Sequence, residues 1–163
     1  MSPDMQKMMD VARNYCHLIE NCCEDDLEWL QQVAEQLAQL HAAIVHLKES
    51  EEKQWDEGSI DLDKRFDMYA QLKGLLGEDD AYWLEFDVNS DYQHMSGSLA
   101  DDLTDIYCEL KQGLEMLTRS PDAPAQVLSS WGHGYRMHWG QHLLDAERHL
   151  YALDVRGRLE PII

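Results

Sequence analysis

Two carboxylates, Asp102 and Asp105, and two imidazoles, His138 and His142, are the residues whose types and spacing best suit chemistry. Asp102, Asp105 and Glu109 recur at i, i+3 and i+7, which on a helix draws one acidic line. That line borders the apolar stripe Leu99, Leu103, Ile106, Leu110, Leu114 and Leu117, while Asp101 points to solvent. His138, His142, Asp145 and His149 form a second line beside the stripe Leu128, Trp131, Tyr135, Trp139, Leu143, Ala146, Leu150 and Leu153. The helical wheel puts His142 nearest the core. Two carboxylates with two imidazoles suit a divalent iron, manganese or zinc ion. The same groups also suit a carboxylate–imidazole network that pins two helices in register.

Both lines must be carried by helices. Ser98 caps the first of them, with Asp101 at the capping-box position, and it runs to about Arg119. Ser120-Pro121-Asp122-Ala123-Pro124 makes a turn, and a long helix follows from about Pro124 to Leu153. So short a connection makes the two helices antiparallel neighbours. Counting outward from the turn sets Asp102 and Asp105 level with His138 and Arg136, and His142 about one turn further along. In one handedness of the hairpin the two lines face each other, and in the other they diverge. Gly140, between the histidines, either permits close approach of helices or marks a kink.

The rest of the chain is helical in period as well. Ser2 and Pro3 open a helix reaching about Cys22, with Met5, Met8, Met9, Ala12, Tyr15, Cys16 and Ile19 inward. Glu24-Asp25-Asp26 starts a second, which carries Leu27, Leu30, Val33, Ala34, Leu37, Leu40, Ile44 and Leu47 and fades into the charge run from Lys48 to Lys53. A third covers about Asp63 to Leu76 and ends at Gly77. Residues 78–97 are irregular, and Tyr82 to Val88 is aromatic enough to pack as a strand or a helical turn. A short tail begins near residue 154. The expected architecture is all-α: one up-and-down bundle of about five helices over residues 1–163. His41 lies on an apolar face and is expected to be a buried neutral imidazole with a hydrogen-bond partner. His17 and Glu20 have the three-residue spacing of a metal-ligand pair, but on the wheel His17 points nearly opposite the core face and Glu20 lies on its flank, so His17 is expected to be solvated. Asp79-Asp80 reads as solvated surface.

Composition narrows the function classes. Thirty-two acidic residues against 13 basic ones give a net charge of −19 over 163 residues. That charge opposes binding to nucleic acid or to an anionic membrane. A hydrophobic fraction of 44% is enough to build a core rather than a disordered chain. No apolar run approaches a membrane span, and the acidic start does not read as a signal peptide. Cys16, Cys22, Cys23 and Cys108 are expected as mostly buried thiols in a reducing cytoplasm. There is no Gly-x-Ser-x-Gly elbow, and Gly132-x-Gly134 lacks the strand and third glycine of a phosphate loop.

Three phrases, Asn14 to Glu20, Asp101 to Lys111 and His138 to Ala146, resemble in order and spacing a small bacterial family catalogued as domain of unknown function 5063. The resemblance covers most of the chain, to about Leu153. It implies a compact all-helical bacterial protein and brings no activity, cofactor or site residue with it. Asp101-Asp102-Leu103-Thr104-Asp105 also resembles the Glu-Glu-x-x-Asp helix of all-α nucleotide pyrophosphohydrolases. That likeness implies Asp102 and Asp105 as magnesium ligands, with Glu49 and Glu52 as the second acidic pair, although histidines are unusual partners for magnesium.

With no complete catalytic constellation, the leading expectation is a cytoplasmic helical bundle that binds a protein or small-molecule partner. The alternative is a metal-dependent enzyme, hydrolytic or oxygen-activating, built on Asp102, Asp105, His138 and His142. A third reading, from charge alone, is an acidic decoy that imitates nucleic acid.

Overall fold

The computed structural model describes residues 1–22, 28–47, 60–85 and 94–159. Cys23, the acidic start at Glu24-Asp25-Asp26, Leu27, the charge run with Glu49 and Glu52, and Phe86 to Val88 lie outside them. The helices are α1 (Pro3–Glu20), α2 (Trp29–His46), α3 (Leu62–Leu76), α4 (Leu99–Arg119), α5 (Pro124–Gly134) and α6 (Gly140–Val155). One turn of π-helix, Tyr135–Trp139, joins α5 to α6, so the two continue one another as the single long helix expected. Two short antiparallel strands, β1 (Ala81–Glu85) and β2 (His94–Ser98), occupy part of the segment that the sequence left irregular. The architecture is the all-α bundle anticipated, with a small hairpin added.

Local chemistry accounts for the helix starts. Ser2 Oγ accepts from the Met5 N–H at 3.2 Å, and Pro3 supplies the first helical position of α1. Ser98 Oγ accepts from the Asp101 N–H at 3.2 Å at the head of α4. A second cap there was not anticipated. Asp80, only 3% exposed, accepts from Ser98 Oγ at 2.9 Å and from the Ala100 N–H at 2.7 Å. The Leu99 N–H reaches the Asp80 backbone carbonyl at 2.9 Å. Asp80 is therefore not the solvated surface residue that its acidic doublet suggests, because the unpaired N–H groups of α4 draw it inward.

Helix α4 lies centrally, packed against α1, α3, α5 and α6. Tyr15 on α1 donates its hydroxyl to the Leu103 carbonyl at 2.7 Å, deep in the core. Of the expected α4 stripe, Leu99, Leu103, Ile106 and Leu110 are fully buried, and Leu114 and Leu117 pack at its margin. Trp131 and Trp139 are core residues, and the Trp139 indole donates to the Trp131 carbonyl at 3.0 Å.

The π turn has a reason in the stripe itself. Trp131, Tyr135, Trp139 and Leu143 follow one another at intervals of four. In an uninterrupted α-helix those three steps drift by about 120°, which would carry Leu143 off the core face. A turn of wider pitch takes up the drift. Its i to i+5 bond runs from the Gly140 N–H to the Tyr135 carbonyl. A Cβ on Gly140 would overlap that same oxygen and crowd the Tyr135 ring. Gly140 admits the carbonyl of the π turn.

Candidate metal centre

The hairpin of α4 with α5–α6 has the handedness that brings the acidic and histidine lines together. The register is not the one counted from the turn. His142, expected one turn beyond the aspartates, lies level with both of them; the extra residue of the π turn supplies about 1.5 Å of that shift toward residue 120.

Each ring nitrogen has a defined neighbour. His142 Nδ1 lies 2.7 Å from Asp102 Oδ1, and His138 Nδ1 lies 3.2 Å from Glu109 Oε1. The two Nε2 atoms both face Oδ2 of Asp105, at 3.0 Å from His142 and 3.9 Å from His138. The rings stand nearly perpendicular, with centroids 4.9 Å apart. The other oxygen of Asp105 accepts from Arg65 Nε of α3 at 2.8 Å, and the same guanidinium reaches Asp101 at 2.9 Å. Tyr82 of β1 donates its hydroxyl to Asp102 Oδ2. Among the described residues, two sets could hold an ion, each with its ligand atoms within 4.8 Å of one another: Asp105, His138 and His142, or Asp101, Asp102 and His142. Arg65 takes one oxygen each of Asp101 and Asp105, Tyr82 takes one of Asp102, and Oδ2 of Asp105 faces two imidazoles rather than one, so the first set is the better provided.

Charge follows the geometry. Burial works against an imidazolium at His142, but the two carboxylates it touches outweigh burial and push its pKa up to about 10. Burial would raise the Asp105 carboxyl too, yet hydrogen bonds from His142 and Arg65 hold it below the usual range. At Asp102 burial prevails over His142 and Tyr82, and the carboxyl is raised. Four carboxylates (Asp101, Asp102, Asp105 and Glu109) face one guanidinium and one imidazolium, so the cluster keeps excess negative charge.

The other expectations divide. His138 and His142 meet Asp105 as the sequence proposed, while Asp102 sits behind His142, on the far side of its ring. Glu109 was seen on the acidic line, but its contact with His138 was not. Arg65 and Tyr82 carried no signal, being far away in sequence. His149, not His142, is the most buried of its line, at 6% exposure, because β1 covers that end of α6 and stacks the Tyr82 ring on it at 4.8 Å. His41 does find a partner, Glu147 at 2.8 Å, but it is half-buried rather than buried. His17 is exposed beside Asn21, and Glu20 pairs with Lys111 at 3.1 Å, so they form no joint site. Cys16 and Cys22 are buried and Cys108 is half-buried. Desolvation pushes the Cys108 thiol up to about 11 and Cys16 higher still, which makes both poor nucleophiles at neutral pH.

Fold and site together define an acidic helical bundle whose two central helices share a carboxylate–imidazole cluster. The chain belongs to the family described as Domain of unknown function (DUF5063), whose model matches residues 1–156. A crystal structure of protein BF1032 from Bacteroides fragilis is similar in fold, with a TM-score of 0.77 over 93% of this chain and 92% of that one, at 16% identity. No curated protein matches the chain. No helix among the described residues is long and apolar enough to cross a membrane.

Proposed function

We propose that this protein binds a divalent first-row transition ion between α4 and the start of α6, with Asp105 Oδ2, His138 Nε2 and His142 Nε2 as ligands. One observation carries the reading: both Nε2 atoms face one oxygen of Asp105, while each Nδ1 is held by a separate carboxylate. Histidines that ligate metals are commonly oriented in this way, with the second ring nitrogen donated to a carboxylate. In this reading Asp102 and Glu109 orient the imidazoles, and Arg65 steadies Asp105. Two imidazoles and one carboxylate favour zinc, iron or manganese over magnesium or calcium. Three protein ligands leave coordination positions for water or a small molecule, as hydrolytic zinc and oxygen-activating iron sites do.

A second reading rests on His142 alone. With both nitrogens beside carboxylates and a pKa near 10, its imidazolium bridges Asp102 and Asp105 and locks the two helices in register. Calorimetric titration of chelator-treated protein with zinc and manganese separates the two. The metal reading expects one ion per chain at roughly micromolar affinity, weakened about tenfold or more in each of Asp105→Ala, His138→Ala and His142→Ala. Absence of saturable binding, or affinity unchanged in all three variants, overturns it and leaves the register lock.

A further inference from the structure

The carboxylate behind His142 has a support of its own. Asp102 is 3% exposed, and each of its oxygens has a different neighbour. Oδ1 lies 2.7 Å from His142 Nδ1, and Oδ2 accepts from the Tyr82 hydroxyl. A buried carboxylate held on both oxygens cannot turn without giving up one of its hydrogen bonds, which is costly away from water. Tyr82 thereby fixes which oxygen of Asp102 is presented to the imidazole.

Tyr82 is itself held on several sides. Its ring stacks on His149 with the planes 29° apart, and His149 Nε2 lies 2.6 Å from the Asp79 carbonyl. Across the hairpin it pairs with Gly97, where any Cβ would overlap the Tyr82 ring. The strand is anchored to the head of α4, since Asp80 accepts from both Ser98 Oγ and the Ala100 N–H. Tyr82 is two residues beyond Asp80, and Asp102 is two beyond Ala100, so that anchor sets the one against the other. Burial, and after it the Asp102 carboxylate, hold the Tyr82 phenol well above its ordinary value of 10. Its hydroxyl therefore keeps its proton and stays a donor.

We propose that Tyr82 is a positioning residue of the metal centre. It holds Asp102 with Oδ1 on Nδ1 of His142, and so keeps Nε2 of that ring directed at the ion. Tyr82 touches neither the ion nor its ligands and acts only through Asp102. Its role rests on the metal reading above. Outer partners of ligating histidines commonly matter in this way, and their loss costs roughly 10- to 100-fold in metal affinity. The β1–β2 hairpin then has a part in the site, and Gly97 with it, because the missing Cβ makes room for the ring that carries the hydroxyl.

Cobalt(II) titrated into the chelator-treated full chain tests this role, because its visible absorption reports the geometry of its ligands as well as its affinity. Tyr82→Phe keeps the stacked ring and removes only the hydroxyl. Gly97→Ala keeps the hydroxyl and displaces the ring. Each is expected to weaken cobalt binding by about fivefold or more and to shift the absorption bands of the bound ion. Trp83→Ala alters the hairpin on the other face of β1 and leaves Asp102 alone, so it is expected to bind and absorb as the parent does. Parent-like affinity and spectrum in Tyr82→Phe, or an equal loss in Trp83→Ala, would overturn the role of Tyr82 while the ion site stands. A parent protein that binds no cobalt overturns the metal reading, and the role of Tyr82 falls with it.

Discussion

The N–H of Gly140 donates to the carbonyl of Tyr135 five residues earlier, and the wider turn it closes rotates the face of α6 relative to α5. The wider turn also draws α6 about one residue back along α4, and His142 lies level with Asp102 and Asp105 rather than a turn beyond them.

Gly140→Ala would press a methyl group onto the Tyr135 oxygen. A mid-helix Gly→Ala change ordinarily stabilises by up to about 1 kcal/mol. Here the expected outcome has the opposite sign, a loss of about 2 kcal/mol from overpacking. Urea denaturation of the two proteins checks it; an increase in stability would show that the π turn does not need glycine.

The pH dependence of stability should reveal the His142 bridge. Its folded pKa, about 10, lies above the ordinary value of 6.5, so its contribution is complete below about pH 6.5 and is lost as pH rises toward 10. Asp105 has the opposite sign. Its folded pKa lies below the ordinary 3.8, so its contribution is present above that value and disappears as pH falls through the folded pKa. The pair therefore stabilises most between about pH 4 and 6.5. His142→Ala is expected to cost about 3 kcal/mol at pH 6, as removal of one partner from a buried pair does. The gap should narrow steadily toward pH 10. A pH-independent difference between the two denaturation series would contradict the bridge.

Metal binding at Nε2 must displace the proton that His142 shares with Asp105. About one proton per ion should then appear in calorimetric titrations run in buffers of different ionisation enthalpy, and affinity should rise about tenfold per pH unit across the neutral range. Proton release near zero would mean that the ion does not enter through His142.

Much of the fold was legible because it rests on local rules. The core stripes of α1, α4 and the α5–α6 helix repeat at helical spacing, and Ser2, Pro3 and Ser98 mark starts by chemistry confined to a few residues. The site was half legible. Asp105, His138 and His142 announced themselves as polar groups bordering apolar stripes. The uniform wheel failed at Tyr135–Trp139, where three successive intervals of four were the available sign of a wider turn. Asp80 and His149 were misread because their burial is imposed by other elements, the head of α4 for one and the β1 strand for the other.

The chain by itself determined that it forms an acidic all-helical bundle, and which faces of α1, α2, α4 and the α5–α6 helix turn inward, since periodicity and capping act within a turn or two. Only the tertiary structure decided the hand and register of the α4–α6 pairing, and with them the sharing of Asp105 by two histidines. It also supplied Arg65 and Tyr82 to the cluster. Those placements depend on helix crossings and a hairpin between residues far apart in sequence, whose packing no local pattern encodes.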